Sequence, residues 1–389
     1  MSSRIAAPRI ALLTYSTKPR GGVVHTLALA EELSARGVDV HVFGLGPADG
    51  EFFRPVAVPF TLFPAVEAAD TLDDKVFLSV DSMASGLAEV AADFDLLHAQ
   101  DCISARAATR VRDAGSGPPV IRTVHHIDDF TTPALIDCQR QAVLEPDHIL
   151  VVSRLWQRIM RDDFGREARV VPNGVDTTRF GPIPRDVRDR LRASVGALER
   201  PLYLAVGGIE PRKGTRDLFE ALPYVRQRGI DPALVIVGGH SFQDYREYRD
   251  AALQRLPELG LRLGDDVIEI GTVDDQTLAH WFRSVDVLAM PSTKEGFGLV
   301  ALEGLAAQVP VVASSIPVFA EFLDDGVNAL LPEVGNPRAI ADALYRATTD
   351  EVLRATLISG GEKLLPAFTW SESARQHEVV YEDVIVAAD

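Results

Sequence analysis

Glu295 and Glu303 stand eight residues apart in the stretch MPSTKEGFGLVALEGLAAQVPVVAS, residues 290–314. An apolar run, Val285–Met290, predicts a strand leading into the loop that carries Glu295. A Gly-Phe-Gly corner (Gly296, Phe297, Gly298) then opens a short helix bearing Glu303, and Val309–Ala313 predicts the next strand. Carboxylates accept two or more hydrogen bonds each, which suits vicinal diols on a hexose or a ribose. The helix N-terminus presents unpaired N–H donors around Phe297, Gly298 and Leu299 and favours a phosphate. Glycines without a Cβ let that backbone approach a ligand closely. Leu299 and Glu303 share a helix face, so Glu303 lies beside apolar neighbours and needs a polar partner there. A ligand with hydroxyls at both ends and a diphosphate between them fits, and a sugar nucleotide is such a ligand. The plainer alternative makes Glu303 a helix-dipole residue and Glu295 a solvated loop acid.

Further segments follow one another along the chain: GGVVHTLALAEELSARGVDV (21–40), FDLLHAQD (94–101), RTVHH (122–126), VVSRL (151–155), VVPNGVD (170–176), VGGIEPRKG (206–214), LVIVGG (234–239) and IGTVDD (270–275). Together with the E-x7-E stretch they resemble the GT-B glycosyltransferases of the large retaining family 4. The resemblance implies an α/β protein of GT-B fold, two Rossmann-like doubly wound domains facing across a cleft. It implies transfer of a hexosyl unit from a UDP-, GDP- or ADP-sugar to an acceptor hydroxyl. Configuration is retained in that family without a dedicated protein base, the diphosphate itself taking the acceptor proton.

Residue by residue, the resemblance assigns Lys213 to the leaving diphosphate, with Arg212 as a second cation; an ammonium on a flexible stem suits a phosphate. Many relatives carry an arginine after the strand-end glycine, where this chain has Gly208. Gly21 and Gly22, in a loop before the first helix, meet the diphosphate or sugar. His125 aligns with a histidine that approaches the donor sugar, as imidazole donor or through its carbonyl, with His126 next in register. Glu295 is expected on the sugar hydroxyls, Glu303 on the ribose diol, and Val273 beside the base with Gly238 nearby. Lys18 and Arg20 suit either an anionic acceptor or a solvated loop. His98 and Asp101 read as structural or acceptor-shaping, and Asn173 as a hinge, with Gly174 supplying positive φ.

These residues must be positioned by parallel sheets, because short apolar runs alternate with helical patterns throughout. The first series is Ile10–Thr14, Val38–Phe43, Leu96–His98, Val120–Val124, Ile149–Val152 and Arg169–Val171. The second is Leu202–Val206, Leu234–Val237, Val267–Ile270, Val285–Met290, Val309–Ala313 and Ala329–Leu331. Between them Pro182 and Pro184 break the pattern. The expected domains are therefore 1–180 and 181–369, with 370–389 returning to the first as a terminal helix, the return being implied by the resemblance. In the first helix Val23, Leu27, Ala30 and Leu33 share a face, and Gly37 is placed to end it. Most of the motifs fall just after strands, where open α/β sheets bind ligands.

Composition narrows the partners. The 389 residues include 39 basic and 56 acidic side chains, a formal charge of −17, so the surface as a whole repels nucleic acid and anionic bilayers. Any membrane contact is expected to be peripheral at most. Cys102 and Cys138 make neither a disulfide framework nor a metal set and read as buried small hydrophobes. Asp93-Phe94-Asp95 spells D-x-D but precedes a strand and reads as a turn, so no metal and no cofactor is expected. No leader or membrane-length apolar run is evident, which predicts a cytoplasmic protein. A nicotinamide oxidoreductase would need G-x-G-x-x-G after a strand, and Gly44-Leu45-Gly46 lacks the third glycine. The alternatives left open are a nucleotide-sugar epimerase of the same fold and a non-catalytic nucleotide-sugar-binding protein. Acceptor identity is assigned no residues beyond the regions Phe52–Thr71 and His125–Thr132, and the sequence fixes no oligomeric state.

Overall fold

The computed structural model of the protein describes residues 8–115, 117–239 and 245–388. The chain divides into two compact units, 1–174 with 370–389, and 175–369. The division falls inside the NGVD turn, ahead of the Pro182–Pro184 break.

The first unit is a seven-stranded parallel sheet: β1 (Arg9–Leu13), β2 (Asp39–Gly46), β3 (Phe60–Pro64), β4 (Leu96–Ala99), β5 (Val120–Val124), β6 (His148–Val151) and β7 (Arg169–Val170). Its order is β3-β2-β1-β4-β5-β6-β7. Strand β3 had no counterpart among the expected runs. Its Thr61 and Pro64 break the apolar pattern, and pairing with β2 creates it. Both faces of the inner strands are covered, so β1, β4 and β5 are almost continuously buried, Arg122, Thr123 and His98 among their apolar residues included. Helix Gly21–Ala35 buries Val23, Leu27, Ala30 and Leu33 completely, and Gly37 follows it at φ +93°. Helix Trp370–Ala388 belongs to this unit and packs on helix Gly21–Ala35, with Val380, Tyr381 and Val384 joining the core.

The second unit holds β8 (Leu202–Val206), β9 (Ala233–Val237), β10 (Val267–Gly271), β11 (Val287–Met290) and β12 (Val311–Ala313). These five parallel strands run β10-β9-β8-β11-β12. The expected strand at Ala329–Leu331 is reduced to one bridge between Val312 and Leu330. Leu222, Val225, Leu234, Val287 and Leu344 are among its core residues.

Strand order reverses between β1 and β4 in the first sheet and between β8 and β11 in the second. Such switch points open a crevice at the carboxyl ends of the strands, because successive connections leave towards opposite faces.

Candidate active site

In the second unit the switch point is occupied by the loops after β8 and β11. The chain leaves β8 through Gly207 and Gly208 and turns through a short 3-10 segment, Pro211–Lys213. Gly214 then reverses it at φ +64°, and a Cβ there would lie 1.9 Å from the Pro291 carbonyl oxygen. This close approach brings Lys213 against the loop after β11. Lys213 Nζ donates to Glu295 Oε1 at 2.7 Å, Ser292 Oγ donates to the same oxygen at 2.8 Å, and Arg212 Nη1 donates to Oε2 at 3.2 Å. Glu295 is 8 % exposed. Burial alone would raise its carboxyl, but the two cations and their hydrogen bonds outweigh that and hold it below the ordinary value.

Three of the roughly four lone-pair positions of Glu295 are therefore filled by protein, which leaves one acceptor site for a ligand hydroxyl. Lys213, with three donors, keeps two. Arg212 Nε also lies 3.1 Å from the buried Glu210 carboxylate, without the alignment of a hydrogen bond. Two cations and two carboxylates cancel in charge.

Helix Leu299–Ala306 starts at Gly298, which has φ +97° and no side-chain cap. A Cβ on Gly298 would sit 2.3 Å from Phe319 Cε1, and Phe297 is buried in a stack with Phe322. The first turn of the helix is thus fixed by packing, and among the described residues its N–H groups have no side-chain partner. Glu303, one turn further on, does not share the partners of Glu295. Arg179 Nη1 reaches its Oε1 at 3.5 Å, and Arg179 Nη2 lies 3.3 Å from Asp275. Burial raises the Glu303 carboxyl, Arg179 opposes it, and Asp275 adds to it. Neither Arg179 nor Ser292 was singled out from sequence. Ser292 sits three residues before Glu295 in the same loop, a readable signal; Arg179 is distant in sequence and gave none.

Gly208 cannot be read as a simple vacancy for arginine. A Cβ there would lie 2.6 Å from the Gly239 carbonyl oxygen, and one on Gly238 (φ +151°) would lie 2.6 Å from the Gly207 carbonyl carbon. The loops after β8 and β9 touch backbone to backbone, and Arg212 is the arginine near this corner. Val273 is partly buried in the loop after β10.

In the first unit, Gly21 and Gly22 are not in a loop. They are the first two residues of helix Gly21–Ala35, whose N-cap Arg20 gives the first turn no side-chain hydrogen bond, its guanidinium donating to the Tyr15 hydroxyl instead. Neither has positive φ. A Cβ on Gly21 meets nothing within 4 Å, and one on Gly22 meets His125 Cδ2 at 3.7 Å, ordinary contact. Packing does not demand glycine at either place. His125, just after β5, stands beside Gly22, while His126 is more exposed and faces Asp128 at 3.2 Å. Burial pushes the His125 imidazole down to about 3.

Asn173 reads differently from the hinge expected of it: its buried side chain contacts His25 Nδ1 at 2.9 Å, and Gly174 does not take positive φ. His98 is fully buried between Tyr381 and Thr123, and Asp101 caps helix Cys102–Asp113. Asp95 accepts from the Arg9 N–H at 2.8 Å in the D-x-D turn. Cys138 is buried, whereas Cys102 is only partly so, a small correction to the expectation. Among the described residues no cluster of three or more His, Cys, Asp or Glu is placed to hold a metal ion. No helix among them is long and apolar enough to cross a membrane.

The model of the glycosyl transferases group 1 matches residues 200–350, and that of glycosyltransferase family 4 matches residues 19–179. Phosphatidyl-myo-inositol mannosyltransferase of Mycobacterium tuberculosis is 33% identical over 392 aligned positions, covering 95% of each chain. D-inositol 3-phosphate glycosyltransferase of Xylanimonas cellulosilytica is 27% identical, covering 96% of each. Among solved structures, sucrose-phosphate synthase of Thermosynechococcus elongatus superposes with a TM-score of 0.82 at 22% identity, covering 98% of this chain and all of that one. Anabaena Alr3699/HepE in complex with UDP-glucose gives 0.80 at 20% identity, covering 97% of this chain and all of that one. With two parallel Rossmann-like sheets, matches to both family models and relatives aligned end to end, the chain belongs to the group 1, family 4 glycosyltransferases of GT-B fold.

Proposed function

We propose that the protein moves a hexosyl unit from a nucleoside-diphosphate sugar to an acceptor hydroxyl, with retention of configuration. The observation that carries this reading is the Lys213–Glu295–Arg212 cluster at the β8/β11 switch point. In the proposed reaction the bond from the anomeric carbon to the diphosphate oxygen breaks as the acceptor oxygen attacks the same face. The departing diphosphate takes the acceptor proton. Lys213 spends its remaining donors on the leaving oxygens, and Arg212, 44 % exposed in its side chain, swings from the carboxylates to join it. Because the four charged groups cancel beforehand, the uncapped N–H groups at Gly298–Leu299 supply the positive potential that the cations do not. Glu295 takes one sugar hydroxyl and Glu303 the ribose diol. Val273 and Gly238 line the base. To Gly21, Gly22 and His125 we assign contacts with the diphosphate and the sugar.

Alr3699/HepE, which shares the fold, is in complex with UDP-glucose, and this supports a nucleotide-sugar donor. The two relatives compared by sequence carry phosphatidyl-myo-inositol and D-inositol 3-phosphate in their names, which supports a polyol hydroxyl as acceptor. Lys213, Arg212 and the helix N–H groups together fit a reaction without a divalent ion.

A thermal-shift panel of UDP, GDP, ADP and their hexoses tests the reading. A ligand of the native state alone stabilises by about 2.7 kcal/mol at a hundredfold excess over Kd. One nucleotide series is expected to raise the melting temperature, and Lys213→Ala to lower turnover by about two to three orders of magnitude with the nucleotide still bound. No shift with any member of the panel would reject it.

A further inference from the structure

A polar relay runs from His125 to the C-terminal helix inside the first unit. His125 Nε2 lies 3.0 Å from Gln100 Oε1. The other end of that amide, Nε2, lies 3.2 Å from His98 Nε2. His98 Nε2 is also 2.7 Å from Thr123 Oγ1, and its Nδ1 is 2.7 Å from the Tyr381 hydroxyl. Gln100 and His98 are buried, at 3 % and 0 % exposure, and so is Tyr381. His125 makes no other hydrogen bond among the described residues.

An amide has an oxygen at one end and an NH2 at the other, so it forces opposite protonation on the two imidazole nitrogens it joins. With the oxygen towards His125, the His125 proton is on Nε2 and donates to Gln100. Gln100 Nε2 then donates to His98 Nε2, sharing that nitrogen's single lone pair with the closer Thr123 hydroxyl. The His98 proton is on Nδ1 and donates to Tyr381. The His125 ring is gripped on its flanks as well. His25 meets it edge-on at 4.7 Å between centroids, and His25 is itself held by Asn173.

We infer that Gln100 is a positioning residue for His125, fixing its proton on Nε2 and presenting Nδ1 as a hydrogen-bond acceptor. This rests on the proposed function for the consequence that follows. Nδ1 takes a hydroxyl of the donor sugar as its hydrogen-bond donor, and a carboxylate in that place would face a lone pair. The donor is then a neutral hexose, and a hexuronate is excluded. The sequence reading allowed His125 to donate through its imidazole; the relay takes up that proton.

Long-range 1H–15N correlation spectra of the histidine rings in the full, ligand-free chain, assigned by single histidine substitutions, read the tautomers directly. The expected result is His125 protonated at Nε2 and His98 at Nδ1. Gln100→Met should give a tautomer mixture at His125, with kcat about tenfold lower and nucleotide Kd unchanged. Gln100→Glu, which accepts at both ends, should keep His125 at Nε2–H and move the His98 proton to Nε2, with activity largely kept. An Nδ1–H His125 in the parent, or Gln100 variants that leave both tautomers untouched, would overturn the inference. Turnover of a nucleoside-diphosphate hexuronate as fast as the hexose would overturn its substrate clause. The expected tautomers with no turnover of any nucleotide sugar would support the relay and sink the transferase chemistry.

Discussion

Lys213 Nζ and Glu295 Oε1 meet at 2.7 Å, so the cation expected at the diphosphate and the acid expected at the sugar are one hydrogen-bonded pair. Their contributions are coupled, and substitutions at the two positions will not add. Lys213→Ala should lower kcat by about two to three orders of magnitude, the usual cost of removing a charge-stabilising group. Adding Glu295→Ala to it should cost much less than the product of the two single effects. Steady-state kinetics of the four-member cycle checks this. Strictly multiplicative losses would mean that the pair does not act as a unit.

Glu303 carries an acid whose folded-state value is raised, so its charge opposes folding once the pH exceeds that value. Folded protein binds the extra proton between the ordinary and the raised value, and stability therefore falls as pH rises through that window. Glu303→Gln should melt higher than the parent at neutral pH. It should also bind nucleotide roughly tenfold or more weakly, about 1.5–3 kcal/mol for a hydrogen bond to a charged group. Calorimetric melting beside nucleotide titration separates the two effects, and an unchanged nucleotide affinity would remove Glu303 from the ribose.

Gly21 and Gly298 make opposite predictions from one chemical change. Gly21 has open space around an added methyl group and sits in a helix, where alanine is favoured by about 0.5–1 kcal/mol. Gly21→Ala should fold at least as stably as the parent while losing turnover. Gly298→Ala meets Phe319 and a positive φ and should be destabilised by about 1–3 kcal/mol. Full activity in Gly21→Ala would return that glycine to a purely local role.

Acid should weaken the first unit through its buried histidines. His25 and His98 are held well below their ordinary 6.5, His377 is at about 4 and His125 at about 3, all chiefly by burial. The unfolded chain binds more protons below 6.5, so this stability is complete above that pH and drains away as pH falls towards 4. Melting temperatures between pH 7.5 and 4.5 should fall steadily, and His377→Phe should flatten the slope. A pH-independent parent would contradict the burial of the cluster.

Gly208→Arg is expected not to supply the arginine that the family resemblance leads one to expect there. Its Cβ would press on the Gly239 carbonyl oxygen at 2.6 Å, so the variant should lose stability and gain no turnover. Raised turnover at undiminished melting temperature would show that the loops after β8 and β9 can part.

Local sequence signals were enough for the strand-and-helix alternation, the placing of motifs after strands, and the E-x7-E stretch, because apolar periodicity and turn glycines act over a few residues. They also singled out Lys213 and Glu295 as candidates. How those two are used depends on the folded chain. Pairing across 82 residues fills most of Glu295 and neutralises Lys213, and no local pattern encodes such a partner. The same holds for Arg179 on Glu303, for Gln100 between two histidines, and for Asn173, whose burial against His25 replaces the hinge expected of a turn asparagine. Strand β3 was missed and Ala329–Leu331 over-read for one reason: whether a short run becomes a strand depends on the neighbour it pairs with, which only tertiary structure supplies.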